Sequence, residues 1–290
     1  MKKISILLVA IVSLATFSCK KEEVKVEETP VEAKTEAHKI VSLNGAVTEI
    51  VAALGHEKEI IGVDVTSTFP ETLKATAKDL GHVRSINIES IIALKPTVIL
   101  ATEKDMSPEL AEKIKGAGIE AHIFKQDFTA EGSKKLIADV AGVLKHTDIK
   151  ALTDKIDADL AKVQPIAKAP KVLFIYARGN VCMVAGTNTP VEKTIALAGG
   201  KNAITEFEDY KPMTPEALVK ANPDVILLFT SGLESLGGVD GLLKIQGVSQ
   251  TNAGKNKKVI ALDGALISGF GPRVGEGAAT LNAELIRAVK

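Results

Sequence analysis

Two stretches of this chain carry one pattern. "NIESIIALKPTVIL" (Asn87 to Leu100) and "TPEALVKANPDVILL" (Thr214 to Leu228) each hold a glutamate, a proline seven residues later, and then x-Val-Ile-Leu. Other fragments echo in the same order. "KIVSL" at Lys39 matches "KVLFI" at Lys171, and "TEIVAALG" at Thr48 matches "EKTIALAGG" at Glu192. Likenesses that recur in matching order point to a duplicated unit, and thus to two pseudo-symmetric lobes.

Within each unit, short apolar runs alternate with amphipathic segments. In the first half "EIIGVD", "TVILAT" and "IEAHIF" read as strands. "SPELAEKIKGAG", with Ser107 as its N-cap, and "EGSKKLIADVAGVLK" read as helices. This alternation predicts an α/β fold with parallel sheets. Between the halves, Ile149, Leu152, Ile156, Leu160 and Val163 keep helical spacing. That spacing predicts one long helix over 148–168, joining an N-terminal lobe (38–147) to a C-terminal lobe (169–290). A ligand cleft between the lobes is the natural site, outside the carboxyl ends of the strands.

The first 37 residues stand apart. "MKK" followed by "ISILLVAIVSLATF" reads as a signal peptide over 1–18, too short for a comfortable membrane span. Cys19 follows Ser18 and precedes "KKEE", an arrangement that resembles a bacterial lipoprotein signal. Cys19 is therefore the expected lipidation site, and 19–37 a disordered, charged tether anchored to the membrane. The one other cysteine, Cys182, lies in the apolar run "NVCMVAG" and reads as a buried, inert thiol.

The chemistry is that of a binder rather than an enzyme. There is no phosphate loop, nucleophile elbow or H-E-x-x-H motif. Basic and acidic residues balance at 36 each, which argues against a nucleic-acid partner. The five histidines are scattered along the chain, and none pairs with another at metal-site spacing. One loop stands out. "GHVRSINIES" (Gly81 to Ser90) places His82 and Arg84 at the end of a strand–helix unit, on the ligand side. An imidazole beside a guanidinium suits haem, whose iron takes the first and whose propionates take the second. Glu89 and Glu216 each open a helix, where negative charge is favoured. As a matched pair on two lobes they also form two docking charges.

Together "KIVSLNGAVTEIVAALG", "GHVRSINIESIIALKPTVIL", "AGGKNAI", "YKPMTPEALVKANPDVILL" and "ISGFG" resemble the haem-binding substrate proteins of bacterial ABC importers. These belong to the helical-backbone binding-protein family, which also serves siderophores and cobalamin. The resemblance implies haem as the transported ligand and no catalysis by this chain. It implies an ABC permease dimer with its ATPase subunits as partner, docked through Glu89 and Glu216. The family loop commonly reads Gly-Tyr-Met-Arg, so His82 stands where a tyrosine ligates iron, and Arg84 keeps the arginine. Arg178 stands where some relatives place a second-lobe histidine, and is expected to meet a propionate. Tyr210 and Lys211 match a Tyr-Arg-Pro segment bordering the cleft; Tyr176, Met183 and Met213 are further candidate second-lobe contacts, although Met and Tyr in apolar strands usually pack in the core. A siderophore or cobalamin binder is the alternative within the family, and a ligand-free structural or sensor lipoprotein the alternative outside it. The anchor is expected to face the periplasm, although "KKEE" after Cys19 also resembles tethers of surface lipoproteins.

Overall fold

Lys39 just precedes the strand Ile40–Ser42 and Lys171 opens its counterpart in the second half, and the chain secures both by the same device. The Lys39 amide donates to Thr97 Oγ1 at 2.9 Å, and the Lys171 amide to Asp224 Oδ2 at 2.9 Å. Thr97 and Asp224 are the residues after the two repeat prolines. Before each proline stands a residue in the left-handed region, Lys95 with φ 51° and Asn222 with φ 41°. That conformation terminates the preceding helix and turns the chain into the next strand. The repeat seen in sequence is thus a repeat of backbone structure.

The computed structural model describes residues 38–179, 181–212 and 214–290, so the signal, Cys19 and the tether lie outside the described residues. The first lobe runs β1 (Ile40–Ser42), α1 (Gly45–Val51), β2 (Ile60–Val63), α2 (Leu73–Thr76), β3 (Lys78–Asp79), α3 (Ile88–Ala93), β4 (Val98–Thr102), α4 (Pro108–Gly116), β5 (Glu120–Phe124) and α5 (Ala130–Val143). Its strands form a parallel sheet in the order β3-β2-β1-β4-β5. Every residue of β4 is buried, the signature of a strand covered on both faces.

After α6 (Lys150–Leu160) the second lobe follows. It comprises β6 (Lys171–Arg178), β7 (Val181–Ala185), α7 (Pro190–Leu197), β8 (Lys201–Asn202), β9 (Tyr210–Pro212), α8 (Pro215–Ala221), β10 (Val225–Phe229), α9 (Thr230–Ser235), α10 (Gly238–Leu243), α11 (Asn252–Lys255), β11 (Val259–Leu262), α12 (Gly264–Ser268) and α13 (Val274–Val289). Its sheet runs β11-β10-β6-β7-β9, with β8 also paired to β6. The trio β6-β10-β11 repeats β1-β4-β5, while β7 and β9 join antiparallel and are peculiar to this lobe.

The connection differs from the single long helix expected over 148–168. Helix α6 ends at Leu160, and the chain then runs without helix to β6. Two causes act together. Pro165 disfavours a helical residue before it. The buried Asn282 side chain takes both backbone groups of Gln164, accepting from its amide at 2.9 Å and donating to its carbonyl at 2.8 Å.

The lobes share a second tie. Phe270 and Val274 belong to the first lobe's core, whereas Ile267, Leu281 and Leu285 belong to the second's. The 169–290 segment therefore does not keep to one lobe, because α13 spans both. It lies tightly on α6: a Cβ on Gly275 would stand 2.5 Å from the Ile156 carbonyl. Arg273 closes the junction with a two-pronged bond to Glu49 of α1, at 2.9 and 2.6 Å.

Candidate functional site

Parallel strands of both lobes end at one cleft of about 1040 Å³, at the upper end of the roughly 300–1,000 Å³ usual for small-molecule sites. The first-lobe wall rests on a buried hydroxyl and carboxylate chain. Ser67 Oγ donates to Asp64 Oδ1 at 2.7 Å, and Thr66 donates its hydroxyl and amide to Asp64 Oδ2 at 2.6 and 3.0 Å. The Thr48 hydroxyl sits 2.7 Å from both Ser42 and Ser67. Burial pushes the Asp64 carboxyl up, against the pull of these hydrogen bonds. The chain fixes the loop after β2 against the start of α1 so closely that residue 45 must be glycine. A Cβ there would stand 2.6 Å from the Thr66 carbonyl. Asp105, held by Asn44 Nδ2 and Thr102 Oγ1 at 2.7 Å each, continues the polar wall.

His82 lines this cleft from the loop that follows the edge strand β3. Its carbonyl accepts from the Ser85 amide at 2.8 Å, and its Nδ1 accepts from the Arg84 amide at 3.2 Å, capping a short 3-10 turn. With Nδ1 accepting, the ring proton falls on Nε2; this tautomer follows from the hydrogen bond. Were Nε2 to hold a metal, the ring proton would sit on Nδ1, where it would oppose the Arg84 N–H. Holding a metal there would thus cost that one bond of the turn, about 0.5–1.5 kcal/mol.

The second lobe contributes an aromatic wall. Tyr176 and Phe229 line the cleft, their rings edge-on with centroids 6.2 Å apart. Phe128 faces the same space from the first lobe, with the Lys104 ammonium 4.5 Å from its ring centroid. Arg178, at the end of β6, lines the cleft and is exposed. The cations of the lining are Arg178, Lys104 and Lys74, set among the carboxylates Glu71, Asp105, Glu234 and Asp263.

The remaining expected residues fall elsewhere. Arg84 is exposed and not in the lining. Tyr210 stands behind Tyr176, ring to ring at 6.5 Å and also edge-on to Phe174, and burial pushes its hydroxyl well up. β9 pairs with β7 rather than opening onto the cleft, which keeps Tyr210 in the core and leaves Lys211 exposed over the Phe207 ring at 4.8 Å. Met183 pairs with Tyr176 across the β6–β7 hairpin and is not in the lining; Met213 lies outside the described residues. The Cys182 thiol is half-buried, and burial pushes its pKa up. Glu89 and Glu216 are exposed at the first turns of α3 and α8, capped by Asn87 and Thr214.

The histidines are less scattered than their spacing implies. The rings of His38 and His146 each approach His56, at 6.5 and 6.4 Å, beside the amino end of β1. Among the described residues no three His, Cys, Asp or Glu side chains are grouped to hold a metal ion. A second hollow, about 520 Å³ between α6 and α13, is rimmed by charges that already pair, such as Lys162 with Asp159 at 2.6 Å.

Two α/β lobes that meet at a cleft and share the helix α13 define a binding protein of the bilobal class. The chain belongs to the periplasmic binding protein family, whose sequence model matches residues 40–266. Members of this family are non-enzymatic transport components. An uncharacterized ABC transporter substrate-binding lipoprotein of Bacillus subtilis, YvrC, is 32% identical over 84% of this chain and 78% of its own. The periplasmic heme-binding protein RhuT from Roseiflexus sp. RS-1, in apo form, is 37% identical, with a TM-score of 0.82 over 88% of this chain and 100% of that one. The periplasmic heme-binding protein BhuT, solved with two hemes, is 32% identical, with a TM-score of 0.81 over 87% and 99%. Among the described residues no helix is long and apolar enough to cross a membrane.

Proposed function

We propose that this chain binds haem between its lobes and delivers it to an ABC permease from a lipid anchor at Cys19. The observation that carries this reading is the composition of the cleft. Among the described residues His82 is the only histidine in its lining, and it shares that space with the Tyr176–Phe229 wall, the cations Arg178, Lys104 and Lys74, and the carboxylates Glu71, Asp105, Glu234 and Asp263. An imidazole for iron, aromatic faces for the macrocycle and cations for propionates make a complete haem set. The likeness to solved heme-binding proteins above 30% identity supports the same ligand. Arg178 and Lys104 take the propionates in this reading.

Titration with haemin, in competition with cyanocobalamin, tests the ligand class. Haemin should produce an intense, shifted Soret band that saturates and that excess cobalamin does not displace. A cobalamin that binds while haemin leaves the spectrum of free haemin unchanged would transfer the chain to the corrinoid branch.

Glu89 and Glu216 are the proposed contacts for the permease, one from each lobe. Reversing both to lysine should leave haemin affinity intact and lower haemin uptake at least tenfold, since like charges set against a matched patch cost several kcal/mol. Normal uptake by the double variant would reduce both residues to stabilisers of their helices, worth about 0.3–1 kcal/mol each.

A further inference from the structure

The two docking helices share more than a glutamate. Three residues after Glu89 stands Ile92, and three residues after Glu216 stands Val219. Each is a large apolar side chain left in solvent, 44% exposed for Ile92 and 39% for Val219. Neither serves its own core. The residue just before each one does that work: Ile91 is 0% and Leu218 1% exposed, in the cores of the first and second lobes. Residues three apart on a helix lie on one face, so each lobe presents a carboxylate beside an aliphatic side chain.

Singly exposed apolar residues are ordinary on a protein surface. Equivalence is what sets this pair apart. Both helices begin from a side-chain cap at the same repeat position, end in a left-handed residue and a proline, and lead into equivalent strands paired to equivalent neighbours. The cleft-facing parts of the lobes have diverged: the first lobe supplies His82 and Phe128, the second Tyr176 and Phe229. A surface feature kept in both lobes while the cleft walls differ serves something that meets both lobes alike.

We infer that Ile92 and Val219 are the apolar anchors of one interaction surface, and that its occupant is a two-fold-symmetric pair of membrane subunits. Each subunit would present a cation for the glutamate next to an aliphatic pocket for the anchor. The inference rests on the delivery reading above and adds its specificity. The charges steer and orient the encounter, while the desolvated aliphatic side chains hold it.

The test uses cells in which this chain is the only substrate-binding protein for the permease, with haemin uptake measured alongside haemin affinity and melting temperature of each purified variant. Ile92→Asp with Val219→Asp should lower uptake about tenfold or more while affinity and melting temperature hold. Ile92→Val with Val219→Ile should transport normally, and each single aspartate variant should fall between. Normal uptake by the double aspartate variant, where the Glu89→Lys, Glu216→Lys variant fails, would overturn the anchor role and leave the delivery reading standing. Normal uptake by both double variants would remove the docking surface altogether. A fall in haemin affinity that accounts for the lost uptake would also overturn the inference.

Discussion

Arg273→Ala should lower stability by about 3–5 kcal/mol, the usual cost of stripping one partner from a buried ion pair. For a chain of this size that corresponds to a melting point roughly 10–15 °C lower. Arg273 holds the Glu49 carboxylate through two bonds, and its guanidinium lies 3.9 Å from the Phe69 ring centroid. Glu49 is 6% exposed, so the variant leaves a buried charge with no cation beside it. The pH dependence has a definite sign. Burial pushes the Glu49 carboxyl above its ordinary value of 4.5, against the pull of Arg273. The folded state thus keeps this proton to higher pH than the unfolded chain, and the group's contribution falls as pH rises through the folded value. Without Arg273 that fall steepens, so the deficit should be larger near pH ~8 than near pH ~5 in thermal melts. Glu49→Met with Arg273→Met should recover part of the loss, because an apolar pair replaces the stranded charge. Equal deficits at both pH values, with no recovery in the pair, would mean that packing alone sets the effect.

The second large effect is at the iron. His82→Ala should weaken haemin binding on the order of 100-fold or more, since loss of an outer partner to a metal ligand alone costs about 10–100-fold. His82→Tyr should restore binding with a high-spin ferric, phenolate-like spectrum, because it recreates the tyrosine of the commoner family loop. Arg178→Ala should weaken binding with little change in the iron's spectrum, as it touches only the rim. The same affinity and spectrum in His82→Ala as in the unaltered chain would shift the ligand role to Tyr176, the cleft's remaining strong donor.

Much of the fold was legible because it is local. The caps at Asn87, Ser107 and Thr214, the prolines after the repeat helices and the apolar runs of the strands each act within a few residues. The end of α6 was only partly legible: Pro165 acts locally, but Asn282 takes the backbone groups of Gln164 from 118 residues away. The site divides in the same way. His82 was recognisable from its loop, and Arg178 from the resemblance. Phe128, Phe229 and Lys104 carry no signal in the sequence; only the fold sets them around one space. Tyr210 erred the other way. Its segment matched a cleft border, but pairing of β9 with β7 buries it one layer back. The meeting of His38, His56 and His146 depends on three separate elements and leaves no trace in their spacing.

In the proposed function iron is held in the cleft by His82, the single histidine among the described residues of its lining. Resonance Raman of the ferrous haem complex, with and without ¹⁵N-labelled histidine, addresses it directly. An iron–histidine stretch that shifts with the label in the unaltered chain and vanishes in His82→Ala is the expected result. A label-sensitive stretch that persists in His82→Ala, or none in the unaltered chain, would contradict it.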